Sequence, residues 1–286
     1  MLLLFNFFSA QKDRNSAQVL LLLLSLLIIF IVNSGCTTTW GTAVVAPYAR
    51  NDEFRRGEVE YLRGNYPEAQ YCFYNYTEQQ TNPAAIAEGL YWQGMCFLAR
   101  KDFKKAADHF ERALSQNAGE KWVLTYSLCG LGTAYMGTAK YEDASKALLK
   151  AIETGEDEIQ KDEIFFRLGV CYQRISQWDN AEKYFMLVLT ETPDSRIVQQ
   201  AEERLEYGKD RFFSIQIGAY ENRQTAEKKV SELKNIGQEA YIREVTREGK
   251  KIQCVRIGKY SDWSNANMEL HRLRGIERID DAIVVP

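Results

Sequence analysis

The chain has 286 residues, enough for two domains, with 45% hydrophobic and 26% charged residues, an ordinary globular balance. A net charge of −3 and only two histidines argue against bulk nucleic-acid binding and against a metal centre. The charge is uneven: residues 37–210 hold 20 Lys+Arg against 27 Asp+Glu, whereas residues 211–286 hold 14 against 11. Two units with different work are therefore expected.

The first element is a leader. Val19 to Val32 form an apolar run broken only by Ser25, with Lys12 and Arg14 before it and Ser34-Gly35 after it. A basic flank, an apolar core and small residues form the pattern of a secretory signal peptide. The run falls short of the roughly 20 residues a membrane-spanning helix needs. Cys36 follows at once. Ser34-Gly35-Cys36 resembles the lipobox of bacterial lipoproteins, with Asn33 where that family usually has Leu. The resemblance implies removal of residues 1–35, diacylation of Cys36 and a lipidated linker over residues 36–50. Thr37, in place of Asp, implies an outer-membrane location in a two-membrane bacterium. An uncleaved signal anchor is the alternative, and either reading places the rest of the chain outside the cytoplasm. Cys72, Cys96, Cys129, Cys171 and Cys254 have no CxxC spacing and read as small buried apolar residues.

Residues 51–208 show an internal period. Four segments carry a Gly, then an aromatic nine residues on, an Ala three further and an apolar residue four beyond that: Gly57, Tyr66, Ala69, Phe73; Gly94, Phe103, Ala106, Phe110; Gly132, Tyr141, Ala144, Leu148; Gly169, Trp178, Ala181, Phe185. The glycines are 37, 38 and 37 residues apart. The pattern resembles the tetratricopeptide repeat (TPR), a helix–turn–helix unit stacked into a solenoid. In the first copy, Arg56 and Glu60 stand where the family has Leu and Tyr. An amphipathic helix over about 195–207 reads as a solubilising cap. The resemblance implies a concave face for a peptide or protein partner. Its candidate lining is Tyr91, Met95 and Leu98, then Tyr126, Thr133 and Met136, then Phe166, Val170 and Arg174. Packing against neighbouring helices is the competing role for the apolar ones.

After Asp210 the rhythm changes. Phe212–Ile217 alternates like a strand, 225–235 reads as a helix, 239–246 and 251–257 as a hairpin around 247–250, 263–273 as a helix with Ser261 available as its cap, and 282–285 as a last strand. This βαββαβ order predicts a four-stranded antiparallel sheet with two helices on one face, a ferredoxin-like α+β fold. Ile215-Gln216-Ile217-Gly218-Ala219-Tyr220 returns as Val255-Arg256-Ile257-Gly258-Lys259-Tyr260. These paired motifs resemble the SPOR domain, the sporulation-related repeat, over residues 209–286, with Cys254 where that family often has Arg. The resemblance implies binding of peptidoglycan glycan strands, particularly strands stripped of stem peptides at division septa. Strand alternation turns Ile215, Ile217, Val255 and Ile257 toward the helices. It leaves Ser214, Gln216, Tyr241, Arg243, Cys254 and Arg256 on a solvent-facing sheet, where Ser, Gln, Tyr and Arg suit sugar hydroxyls and rings. A simply polar face is the plainer reading.

RNA-recognition modules share the strand order, but Ile252 to Ile257 lacks their aromatic signature. Glu221, Glu227 and Glu239 are the available carboxylates for a glycan hydrolase, yet no cleft pair, nucleophile motif or metal set accompanies them. The expectation is an exported, multidomain binding protein with no cofactor. It would be held at a membrane through its lipid, with glycan strands and an unidentified protein as partners. The alternative is an envelope assembly factor that binds protein alone.

Overall fold

In a computed structural model, described for residues 49–116, 120–155, 160–247, 250–276 and 281–286, the periodic segments fold as helix pairs. The leader and Cys36 lie outside the described residues, as does the centre of the predicted 247–250 hairpin. The pairs are α1 (Asp52–Leu62) with α2 (Tyr66–Glu78), α3 (Pro83–Ala99) with α4 (Phe103–Ser115), α5 (Lys121–Gly137) with α6 (Tyr141–Glu153), and α7 (Lys161–Arg174) with α8 (Trp178–Glu191). Polar caps start several of them. The side chain of Asn51 accepts from Phe54 N–H at 3.0 Å, and that of Asn82 accepts from Ala84 N–H at 2.9 Å beside the helix-initiating Pro83.

Each pair turns on one left-handed residue: Gly64 (φ 79°), Lys101 (61°), Ala139 (58°) and Ser176 (61°). These positions keep the spacing of the repeat glycines. In the second pair, Asp102 N–H donates to Phe97 O and Lys101 N–H to Leu98 O, both at 2.9 Å. The two bonds satisfy carbonyls that the end of α3 would otherwise leave open. The same two bonds recur at Gly64, Ala139 and Ser176. The degenerate first segment is therefore a full structural repeat.

The repeat glycines stand where the second helix presses on the first. A Cβ at Gly94 would meet Phe110 Cε1 at 2.8 Å, and one at Gly169 would meet Phe185 Cε1 at 2.5 Å. Phe110 and Phe185 are buried as a result, each contributing about 2–3 kcal/mol of apolar burial. Cys72, Cys96, Cys171 and Cys254 are buried and Cys129 half-buried. Burial pushes the thiols of Cys96 and Cys171 up to about 12, which leaves them unreactive.

A ninth helix, α9 (Val198–Gly208), packs Ala201 and Leu205 against α8 and leads into β1 (Phe213–Tyr220). Then follow α10 (Arg223–Asn235), β2 (Ala240–Arg247), β3 (Lys250–Tyr260), α11 (Trp263–Ile276) and β4 (Ile283–Val285). The sheet order is β2-β3-β1-β4, and every neighbouring pair is antiparallel. Ile215, Val255 and Ile257 from the sheet meet Ala226 and Leu233 of α10 and Leu270 and Leu273 of α11 in one core. The cap of α11 is Asp262, not Ser261: Asn265 N–H donates to the Asp262 carboxylate at 2.8 Å. The residue immediately before the helix has the better reach.

Candidate functional site

The face of the sheet away from α10 and α11 carries the residues expected to bind. Gln216 pairs with Arg256 across β1 and β3, and Arg256 pairs with Tyr241 across β3 and β2. Three candidate residues thus form a single rung across three strands, at the side-chain separations that let neighbours interact. Ser214 joins them, its hydroxyl accepting from Arg256 Nη1 at 3.3 Å, and the same nitrogen donates to Pro286 O at 2.9 Å.

This face is not open to solvent. Arg256 and Ser214 are 0% exposed and Gln216 is 9% exposed. The expected solvent-facing sheet is corrected here, and the cause is α9. Its last turn lies over the face, with Tyr207 clustered against Val245, Ile252 and Cys254. The guanidinium of Arg256 is 5.2 Å from the centre of the Tyr207 ring, within cation–π range. The helix is thus a lid on the sheet as well as an end-cap of the solenoid.

Arg243 holds the lid down. Its Nη2 donates to Glu206 O at 2.8 Å and its Nη1 to Tyr207 O at 3.4 Å, and it pairs with the Asp210 carboxylate. A cation at the carbonyl end of a helix also matches the helix dipole. Arg243 is therefore committed within the chain and does not present its charge to solvent.

Under the lid, several polar atoms have no hydrogen-bond partner among the described residues: Gln216 Oε1, Tyr241 Oη, and Nε and Nη2 of Arg256. Burial, and after it the neighbouring charge of Arg243, holds the Arg256 guanidinium below its ordinary value. No ion pair forms at Arg256 among the described residues. Beside the rung, a cavity of about 680 Å³ is lined by Phe212, Lys234, Glu239, Tyr241 and Lys259 among others.

The expected repeat groove is redistributed. Tyr91 is 2% exposed. It sits in the core among Trp92, Phe110 and Trp122 rather than on a concave surface. Met95, Leu98 and Tyr126 are partly buried against that same core. Thr133 donates its hydroxyl to Cys129 O at 2.9 Å. Phe166 and Val170 pack on the cluster around Phe185, with the Phe166 and Phe185 rings 5.7 Å apart. Arg174 lies over Tyr141 and over Trp263 of α11, so the C-terminal unit occupies it. Met136 is half-buried against the next cluster. Large residues on the first helix of each pair serve the inter-repeat core as readily as a groove.

Residues 209–286 match the family model of the SPOR domain. The C-terminal unit is a SPOR domain. Residues 87–119, 125–154 and 163–195 each match a tetratricopeptide repeat model, so the solenoid is a TPR array. The segment around Gly57 lies outside those matches, although it folds as the same pair. The SPOR domain implies peptidoglycan binding and a place in the cell envelope, and the TPR repeats imply protein interaction. No curated protein matches the chain. Among solved structures it resembles apo RapI, with 15% identity and TM-score 0.49 over 55% of this chain and 62% of RapI. It also resembles Pseudomonas aeruginosa pilF, with 20% identity and TM-score 0.45 over 55% of this chain and 68% of that one. YrrB, a TPR protein with an unusual peptide-binding site, shows 19% identity and TM-score 0.44 over 65% and 84%. Neither a helix long and apolar enough to cross a membrane nor a metal-ligating cluster occurs among the described residues.

Sequence reasoning missed Tyr207, Asp210 and Trp263 as parts of this region. Tyr207 ends an amphipathic helix and carries no motif. Only its contact with the distant β3 reveals its role.

Proposed function

We propose that this protein is a lipid-anchored envelope scaffold. Its SPOR domain (residues 209–286) holds peptidoglycan glycan strands, with a preference for denuded septal glycan. Its TPR array (residues 51–208) holds a protein partner. Diacylation at Cys36, after removal of residues 1–35, would tether the chain to a membrane through the linker 36–50, most simply the outer membrane. The observation that carries the reading is the Gln216–Arg256–Tyr241 rung. Gln216 Oε1, Tyr241 Oη and Nε and Nη2 of Arg256 have no hydrogen-bond partner among the described residues and suit the hydroxyls of a sugar chain. Ser214 positions Arg256, and Arg243 borders the same surface.

The test is sedimentation of the full mature chain with purified sacculi, before and after amidase treatment. Binding is expected to rise on stripped glycan and to fall in Gln216→Ala and Tyr241→Phe. A protein that stays in the supernatant with both preparations would remove the glycan assignment. The second reading, an assembly factor that binds protein alone, has one observation in its favour: α9 covers the sheet face. In that case the SPOR domain serves as a docking module, and pull-downs would recover partners without wall material.

A further inference from the structure

We propose that the last turn of α9 is a displaceable internal cover of the glycan site, with Tyr207 occupying the position of a sugar ring. The inference rests on the glycan-binding reading and adds its regulation. Tyr207 gives Arg256 an aromatic face, and among the described residues Arg256 Nε and Nη2, with Gln216 Oε1 and Tyr241 Oη on the same rung, find no hydrogen-bond partner. A pyranose supplies an apolar ring face together with hydroxyls. It would restore the hydrogen bonds that the cover leaves unmade, which is the difference that drives an exchange.

The cover is also built to leave. Its polar hold is at the rim: Arg243 bonds the carbonyls of Glu206 and Tyr207 and the half-exposed carboxylate of Asp210, all groups that water can satisfy. α9 has only 11 residues, and a terminal turn is the first part of such a helix to open. The connection to β1 passes through Arg211 at φ 54°, a left-handed conformation that a non-glycine residue adopts under strain. Opening at this point relieves the strain. The TPR array and the wall-binding face are therefore coupled. A partner that pulls on α9 would expose the site, and glycan that enters it would loosen α9 from the sheet.

The experiment measures affinity of the full chain for soluble denuded glycan strands. The proteins are the native chain, Tyr207→Ala, Asp210→Ala and the double variant Tyr207→Ala, Gln216→Ala, each checked for native helix content and melting. A cover closed nine-tenths of the time weakens apparent affinity about tenfold. Tyr207→Ala is expected to tighten binding by about that factor, Asp210→Ala by a smaller factor in the same direction, and the double variant to lose the gain. Hydrogen exchange should show residues 205–210 losing protection when glycan binds the native chain. Equal binding by native chain and both single variants overturns the cover while leaving glycan binding intact. Weaker binding by a folded Tyr207→Ala also overturns it, because Tyr207 would then be part of the binding surface. No binding by any variant removes the glycan reading itself, and the cover with it.

Discussion

The guanidinium of Arg174 lies 4.6 Å from the centre of the Trp263 ring, and this contact joins the last TPR repeat to α11 of the SPOR domain. Tyr141 extends it, its ring 6.0 Å from that of Trp263 at a steep angle. Ser176 adds a hydrogen bond to Ser261 O at 2.9 Å. The two units are thus docked through an aromatic–cation stack as well as through α9. Trp263→Ala is expected to lower stability by about 1–2 kcal/mol and to separate one unfolding transition into two, read by urea titration with circular dichroism. A single unchanged transition would show that the stack does not couple the units.

Ala139 occupies the left-handed turn position that Gly64 occupies in the first repeat. Glycine removes the Cβ penalty there. Ala139→Gly should stabilise the chain by about 0.5–1 kcal/mol. The urea midpoint decides it, and a decrease would show that the turn does not carry the strain its φ indicates.

Gly169 tolerates no side chain, since its Cβ would lie 2.5 Å from Phe185 Cε1. Gly169→Ala must push α7 from α8 or force Phe185 off its rotamer, at a cost of about 1–3 kcal/mol. Adding Phe185→Leu should recover part of that loss. A thermal melt of the single and double variants tests both statements.

His109 packs against the Phe97 ring, 4.8 Å between ring centres, and its Nδ1 is 2.9 Å from Lys105 O. Burial is the main cause that lowers its pKa from the ordinary value of 6.5. The unfolded chain therefore takes up this proton at higher pH than the folded one. Its contribution is intact above about pH 6.5 and is lost as pH falls from there toward the depressed folded value. His109→Gln should flatten the decline in urea midpoint between pH 7 and pH 5.5. An identical decline in both proteins would place the dependence elsewhere.

Much of this architecture was legible in the order of residues. The Gly–aromatic–Ala spacing marks the helix pairs because a small residue must face a large one wherever two helices touch, and Gly94 against Phe110 is that contact. Strand alternation likewise separated the two faces of the SPOR sheet, Ile215 toward the helices and Gln216 away from them, because successive side chains of a strand point to opposite sides, but the expected exposure of the second face was wrong. The lack of paired spacing pointed to buried cysteines, which holds for Cys72, Cys96 and Cys171, whereas Cys129 is half-buried and Cys254, expected on an open face, is buried under α9. The roles of Tyr91 and Arg174 did not follow. A large side chain on a first helix has the same local signature whether it fills a core or lines a groove.

The sequence by itself determined the elements, their pairing within each repeat and the polarity of each face, because these depend on spacings of a few residues. Tertiary structure alone decided what lies on the polar face. Tyr207 reaches Arg256 only because α9 docks across the sheet, and Arg243 finds the helix carbonyls only in that arrangement. Such contacts join segments distant in the chain and leave no periodic trace, so the geometry of packing determines them.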